Sequence, residues 1–216
     1  MARRLLLLRH GQTEFNATRR MQGHFDTELS QTGWQQAQAA AEMLVGQPIV
    51  KIIASDLRRA KDTAQVIGDQ LNLPVSLDSR LRETDLGDWQ GKTHEEVDSA
   101  FPGARARWRF DATWAPPNAE TRQEVAARAF TVVEDLLQEV EQWEGNTVLI
   151  VAHGGTISAL TSALLGFADS KHPLFSNLGN TQLAQIVGRD VPEGYPVHGN
   201  KAVQWYVEGW NIDCVL

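Results

Sequence analysis

Cysteine is almost absent from this chain, which has only Cys214, near its carboxyl end. A single cysteine excludes an intrachain disulfide and supplies no zinc cluster. The chain also lacks an apolar run long enough to cross a bilayer. Its first residues, MARRLLLL, include two arginines, but the apolar run is too short for a signal peptide and no small-residue cleavage site follows. These absences predict a soluble cytoplasmic protein with no membrane partner.

A net positive charge is missing as well. The 20 lysines and arginines are outnumbered by 27 aspartates and glutamates, which gives a formal net charge of −7 at pH 7. Because no basic field attracts phosphate backbones, the sequence predicts no nucleic-acid partner. A small anionic ligand would have to be bound by individual arginines. The length of 216 residues predicts a single domain over 1–216 with a sizeable core.

What the sequence does contain is an alternation of short apolar runs with longer helical patterns. The apolar runs predict strands at 5–8, 49–54, 147–152, 183–187 and 202–207. Capping residues and apolar residues at helical spacing predict helices that begin near Ser30, Asp56, Thr93 and Thr121. The last of these is expected to run through Trp143. Strands separated by helices predict an α/β three-layer sandwich, a mostly parallel sheet with helices on both faces.

Two segments have no such pattern. The stretch around 101–120, rich in arginine, tryptophan and proline, is predicted to leave the core as a cap. Its Arg105, Arg107 and Arg109 recur at every second residue, so an extended segment would present them on one side. They would then attract a carboxylate, or they belong to a solvated basic loop. The proline- and glycine-containing stretch 191–199 is predicted to be an exposed loop.

Two of the predicted strands end at a histidine that is followed by glycine. His10 with Gly11 follows the first strand, and His153 with Gly154 follows the strand at 147–152. In open α/β sheets, ligands bind beyond the carboxyl ends of the strands, so the two histidines are expected to converge. The glycines would let backbone amides approach a ligand closely. A helix predicted from about Thr156 would turn its free N–H groups toward an anion.

Charged residues gather in two further segments. Arg58 and Arg59 fall in the first turn of a predicted helix, where a cation is disfavoured by the helix dipole. One of them is therefore expected to point elsewhere for a reason, and Arg58 is the better candidate for a solvated position. In RLRETDLGDWQG, a carboxylate among Glu83, Asp85 and Asp88 is a candidate general acid. Spacing alone does not choose it, although turn formation suits the two aspartates.

Four segments together resemble the motifs of the histidine phosphatase (phosphoglycerate mutase-like) superfamily. They are LRHGQTEFN, SDLRRAKDTA, LRETDLGDWQG and AHGG, and they occur in the family's order. The resemblance implies a phosphoglycerate mutase-like fold, with His10 as the nucleophile that becomes phosphohistidine and Glu83 as the proton donor. It also implies that the phosphoryl oxygens are bound by Arg9, Arg59 and His153. The substrate would be bound in addition by Asn16, Gln22 and Gly154. The sequence NAET at 118–121 departs from the Gly-Gly-Glu-Ser that many members have, which weakens any role for that segment.

The chemistry of phosphoryl transfer agrees with this set. The transition state needs positioning and charge stabilisation more than covalent chemistry, and planar guanidiniums provide multidentate contacts. A neutral His10 would attack in line, and Glu83 would protonate the leaving alkoxide and later activate water. The scheme requires no metal and no cofactor, and the sequence has no Asp/His cluster that demands a metal.

The resemblance also indicates which branch of the superfamily the sequence is most similar to. The short GDWQGKTHEEV is typical of phosphatases, whereas the cofactor-dependent mutases carry a longer insertion there. RLRETDLGDWQGKTH, DATWAP and VEGWNID resemble the glucosyl-3-phosphoglycerate phosphatases. This implies metal-independent hydrolysis of glucosyl-3-phosphoglycerate to glucosylglycerate by a homodimer. A phosphoglycerate mutase or a phosphatase of broad specificity is the alternative. A non-catalytic phospho-ligand sensor is disfavoured, because such proteins usually lose a histidine or the acid.

Overall fold

The computed structural model describes residues 2–192 and 203–213 and places one mixed sheet between helices. The strands are β1 (Ala2–Arg9), β2 (Ile49–Ala54), β3 (Val75–Leu77), β4 (Thr147–Ala152), β5 (Leu183–Asp190) and β6 (Val203–Ile212). The helices are α1 (Glu14–Ala17), α2 (Gln31–Leu44), α3 (Arg58–Leu71), α4 (His94–Ala100), α5 (Ala104–Phe110), α6 (Arg122–Glu139) and α7 (Gly154–Leu164). Short 3₁₀ turns occupy Ser79–Leu81 and Gly87–Trp89.

The sheet has the strand order β3-β2-β4-β1-β5-β6. The pairs β3/β2, β2/β4 and β4/β1 are parallel, whereas β5 and β6 are antiparallel to their neighbours. In β1, Leu5 and Leu7 pack in one core with α6 and α7, and Leu6 and Leu8 pack in the other with α2 and α3. The four-leucine run is apolar throughout because both faces of the strand are buried. The predicted three-layer sandwich is confirmed.

The predicted boundaries hold best where the local signal is strongest. The strands at 49–54 and 147–152 have the predicted limits, and Thr93 and Thr121 each form the predicted capping box. The three-residue strand β3, at the edge of the sheet, was missed. Helix α6 ends at Glu139 rather than at Trp143, because the chain folds back there. The buried Trp143 indole N–H donates to the carbonyl of Arg4 at 2.7 Å.

The prediction of a patternless segment around 101–120 is wrong for the seven residues of α5. In a helix, residues two apart are separated by about 200°, so the three arginines do not share a side. Arg105 pairs with Asp98 at 2.6 Å, and Arg107 lies 5.3 Å from the ring of Trp114. Only Arg109 lines the large cavity described below. We refer to residues 101–120 as the cap segment.

The cap segment packs on a small apolar cluster separate from the two main cores. Its centre is the fully buried Trp89, whose ring lies 6.1 Å from that of Trp108 and 5.9 Å from that of Trp114. Among the residues that the structure describes, no helix is long and apolar enough to cross a membrane. Most of the loop predicted at 191–199 and Cys214 lie outside the described residues.

Candidate active site

The two histidines lie side by side at the carboxyl end of the central parallel strands. Strands β1 and β4 pair with Arg9 opposite Ala152, and the His10 N–H donates to the Ala152 carbonyl at 3.0 Å. His10 and His153, the next residues, therefore come together, with ring centroids 5.1 Å apart and planes inclined by 60°. The predicted convergence of the two side chains is confirmed.

The ring of His10 is held in one tautomer. Its Nδ1 lies 2.6 Å from the carbonyl oxygen of Gly11, and because a carbonyl only accepts, Nδ1 carries the proton. The lone pair is then on Nε2. Burial, followed by the charges of Arg59 and Arg9, holds the pKa of His10 well below its ordinary value. His10 is thus a neutral imidazole near neutral pH, with a nitrogen available as a nucleophile.

His153 is fully buried and presents an unused polar atom. Its Nε2 lies 2.9 Å from the hydroxyl of Ser55, which also accepts from the Leu57 N–H at 3.3 Å. We assign the Ser55 hydroxyl as the donor to Nε2, which makes Nδ1 the protonated nitrogen of His153. This Nδ1 has no hydrogen-bond partner among the described residues. Burial, and then the charge of Arg59, lower the pKa of His153 well below its ordinary value.

Two buried guanidiniums lie beside the histidines. Arg59 is 0 % exposed and donates to the carbonyls of Phe25 and Gly23 at 2.8 and 2.9 Å. Arg9 donates to the carbonyl of Leu178 at 2.5 Å. Each has a buried Nε without a partner, and neither forms an ion pair within the described parts of the chain. Burial lowers the pKa of Arg59 to about 10, so it remains a cation.

A buried cation without a carboxylate partner is costly unless an anion completes it. Two such cations, with unused donors on both, make this part of the protein a site for a multiply charged anion. The neighbouring Arg58 is different, because its exposed side chain pairs with Glu28 at 2.7 Å. The prediction that the two arginines point in different directions is confirmed.

Glu83 is bound to the amino end of α7. Its Oε2 accepts from the N–H of Gly155 and its Oε1 from that of Thr156, both at 3.2 Å. The prediction that this helix end faces a ligand anion must be corrected, since the carboxyl group of Glu83 occupies it. The helix also begins at Gly154 rather than near Thr156. A Cβ on Gly155 would lie 2.5 Å from Glu83 Oε1, so a side chain here would displace this carboxyl group.

The segment 118–121 supports Glu83 despite its departure from the usual motif. Glu120 accepts from the Asp85 N–H at 2.8 Å and pairs with Arg128 at 2.6 Å. Arg128 in turn donates to the Glu83 carbonyl at 3.0 Å, and His24 Nε2 lies 2.7 Å from the same oxygen. These contacts fix the backbone of the loop from which the Glu83 side chain extends.

Two side-chain amides present their NH₂ groups to the same region. The Oε1 of Gln22 accepts from the hydroxyls of Thr13 and Thr27 at 2.9 and 2.7 Å. The Oδ1 of Asn16 accepts from the Thr13 N–H at 3.1 Å and from Asn180 at 3.2 Å. With their oxygens occupied, both amides keep an NH₂ group that forms no hydrogen bond within the described residues. Such groups can donate to an anion.

These side chains surround a cavity of about 580 Å³. Six of the eight predicted site residues line it: Arg9, His10, Asn16, Gln22, Arg59 and Glu83. His153 is fully buried with its ring beside that of His10, and Gly155 rather than Gly154 lines the cavity. A Cβ on Gly154 would instead meet Asn177 at 3.3 Å.

Three residues of the site were not predicted from the sequence: Ser55, Gly155 and Arg122. Of these, Gly155 and Arg122 line the cavity. Arg122 had a usable signal, because it is a cation in the first turn of a helix, as Arg59 is. The described residues contain no cluster of three or more His, Cys, Asp or Glu side chains that could hold a metal.

The chain matches a family model described as "Histidine phosphatase superfamily (branch 1)" over residues 5–191. Two relatives are glucosyl-3-phosphoglycerate phosphatases. The protein from Mycolicibacterium vanbaalenii is 50 % identical over 214 residues, which cover 97 % of this chain and 94 % of the relative. The protein from Mycobacterium tuberculosis is 46 % identical over 215 residues, 97 % of this chain and 95 % of the relative.

A solved structure shows the same likeness in three dimensions. A mycobacterial glucosyl-3-phosphoglycerate phosphatase in complex with VO₃ superimposes with a TM-score of 0.89 at 46 % identity. The comparison covers 97 % of this chain and 99 % of the other.

Proposed function

This chain belongs to branch 1 of the histidine phosphatase superfamily and is a phosphomonoester hydrolase, and we propose that its cavity hydrolyses glucosyl-3-phosphoglycerate to glucosylglycerate and phosphate. The observation that carries the phosphoryl site is the neutral His10 beside two buried guanidiniums that pair with no carboxylate of the described residues. The name of the substrate is supported by the relatives at 46–50 % identity over nearly the whole chain.

In the first step, His10 Nε2 attacks the phosphorus atom in line with the leaving oxygen. The N–P bond forms as the O–P bond breaks, and the electron pair of the breaking bond goes to the leaving alkoxide. Arg9, Arg59 and the His153 Nδ1–H stabilise the charge on the non-bridging oxygens. The NH₂ groups of Asn16 and Gln22 complete this set.

The leaving alkoxide receives a proton from Glu83, because an alkoxide is a poor leaving group. In the second step, Glu83 accepts a proton from water as the water oxygen attacks phosphohistidine. Phosphate is released and His10 is restored, so that no proton is gained or lost by the enzyme over the cycle. A covalent intermediate divides the hydrolysis into two easier displacements.

The substrate is tested by comparing kcat/KM for glucosyl-3-phosphoglycerate with that for 3-phosphoglycerate. Contacts to a glucosyl group remote from the phosphorus can stabilise the transition state, so the proposal predicts a ratio of at least about tenfold. Equal values would indicate a phosphatase of broader specificity. Interconversion of 2- and 3-phosphoglycerate would indicate a mutase. Neither result would remove the histidine mechanism.

We also propose that the enzyme is a cytoplasmic homodimer, as the resemblance implies. Light scattering coupled to gel filtration tests the assembly, with an expected mass twice the 24.0 kDa of the chain. A mass of 24.0 kDa at micromolar concentration would contradict the dimer.

A further inference from the structure

Arg122, the first residue of α6, lies in the wall of the cavity and forms no ion pair with a carboxylate of the described residues. Its guanidinium lies 4.7 Å from the ring centre of Trp108, in a stacked or cation–π contact. It forms no hydrogen bond and no ion pair with any described residue. Arg109, from the cap segment, lines the same cavity and is equally without a hydrogen bond or ion pair.

The position of Arg122 is unfavourable for the folded protein. A cation in the first turn of a helix opposes the helix dipole. Burial lowers the pKa of Arg122, and the charge of Arg109 lowers it further, while Glu83 is the carboxylate that opposes this effect. A guanidinium that is partly desolvated and unpaired costs stability rather than contributing it. Its unused donors need an anion that the described protein does not supply.

Other arginines near the cavity show what a structural role looks like here. Arg128 and Arg105 form ion pairs with carboxylates at 2.6 Å, and Arg107 stacks on Trp114 outside the cavity. Arg122 and Arg109 differ from these because both face the cavity and neither has a carboxylate. Within the described part of the chain, the cavity therefore has two sets of arginines without an ion pair: Arg9 with Arg59, and Arg122 with Arg109.

We infer that Arg122 and Arg109 form a second anion subsite, which binds a carboxylate that the substrate carries in addition to its phosphoryl group. A planar guanidinium binds a carboxylate through two parallel hydrogen bonds, which fixes orientation as well as charge. The inference rests on the proposed function, because a phosphoglycerate ester has both a phosphoryl group and a carboxylate. The subsite selects substrates with two anionic groups over simple phosphomonoesters.

The test compares two inhibitors of p-nitrophenyl phosphate hydrolysis that differ mainly in the carboxylate. These are 3-phosphoglycerate and glycerol 3-phosphate. In Arg122→Gln, the inhibition constant of 3-phosphoglycerate should rise at least about tenfold more than that of glycerol 3-phosphate, as expected for loss of a charge-assisted hydrogen bond. Arg107→Gln removes the same charge from the cap segment outside the cavity and should leave the ratio unchanged.

Arg109→Gln provides a second variant, because this exposed side chain stacks on no aromatic ring of the described residues and its loss should not affect folding. It should change the ratio in the same direction, and it decides the question if Arg122→Gln fails to fold. A parallel loss of affinity for both inhibitors, or no change in the ratio, would overturn the inference. Inhibition does not depend on which ester is the physiological substrate. The test can therefore reject the carboxylate subsite without rejecting the proposed substrate, and the substrate can be rejected without rejecting the subsite.

Discussion

At the scale of single residues, the site is built from polar atoms that the protein leaves incomplete. Among the described residues, the Nε atoms of Arg9 and Arg59 and the Nδ1 of His153 are buried without partners, although buried polar groups are nearly always satisfied. An anion bound beside the neutral His10 would provide these donors with an acceptor. Their desolvation also strengthens each contact in the transition state, because a low local dielectric increases electrostatic energies.

Replacing Glu83 with glutamine should separate proton donation from nucleophilic attack. We expect kcat for alkyl phosphates to fall by about 100-fold or more, the usual contribution of a general acid. Hydrolysis of p-nitrophenyl phosphate should fall much less, because nitrophenolate leaves without a proton. Steady-state kinetics on both substrates checks this result.

Asp88→Asn is the matched control, since this carboxylate lies on the same loop and, within the described residues, accepts one side-chain hydrogen bond, from the Asn118 amide at 3.1 Å. It should have little effect on either substrate. An equal loss with both substrates in Glu83→Gln would indicate that Glu83 is structural or acts only on water.

At the scale of elements, the sequence predicted those features that depend on neighbouring residues. The ends of β2 and β4, the capping boxes at Thr93 and Thr121, and the strand-end histidines all have short-range signals. The contact of Glu83 with the start of α7 joins residues 72 and 73 positions apart, which no local pattern reports. Helix α5 was missed because its seven residues include three arginines and present no buried side chain to a core.

The loop that carries His10 depends on a close backbone contact with α2. A Cβ on Gly33 would lie 2.0 Å from the carbonyl oxygen of Gln12, and one on Gly11 would lie 2.5 Å from the carbonyl of Gly33. The two glycines therefore serve packing, and the N–H of Gly11 donates to Thr63 at 3.1 Å rather than facing a ligand. This corrects the expectation that Gly11 brings its amide to the substrate.

Gly33→Ala should accordingly damage both stability and activity. The new methyl group must displace the Gln12 backbone, and overpacking of this kind costs about 1–3 kcal/mol in the free energy of unfolding. Movement of the loop should also lower kcat/KM. Urea unfolding and kinetics measure the two effects, with Gln35→Ala at an exposed position of α2 as the control. Unchanged kcat/KM in a destabilised Gly33→Ala would show that the loop does not position His10.

At the scale of the whole molecule, a chain of net charge −7 places the neutral His10 and several arginines that form no ion pair with the described residues in one cavity. Burying these groups lowers the free energy of unfolding. His10 and His153 are fully buried with depressed pKa values, whereas in the unfolded chain each would bind a proton near its ordinary value of 6.5. Below that pH the unfolded state binds more protons than the folded state, so acid favours unfolding.

The free energy of unfolding should therefore decrease as the pH falls below about 6.5, with each buried histidine contributing up to about 1.4 kcal/mol per pH unit. Urea titrations at a series of pH values measure this slope. His153→Asn should make it shallower, and the exposed His172→Asn serves as the control. An identical slope in His153→Asn and the unaltered protein would mean that His153 is not held neutral.

The central claim is that His10 becomes phosphorylated, and rapid trapping of the intermediate tests it most directly. The enzyme is mixed with ³²P-labelled substrate in excess EDTA, quenched in alkali within the first turnover, and digested for mass spectrometry. The account predicts a label on His10 that is stable in base, is lost in acid and forms despite chelation. The His10→Ala variant should carry no such label. A label on another residue, or undiminished labelling and turnover in His10→Ala, would contradict the account.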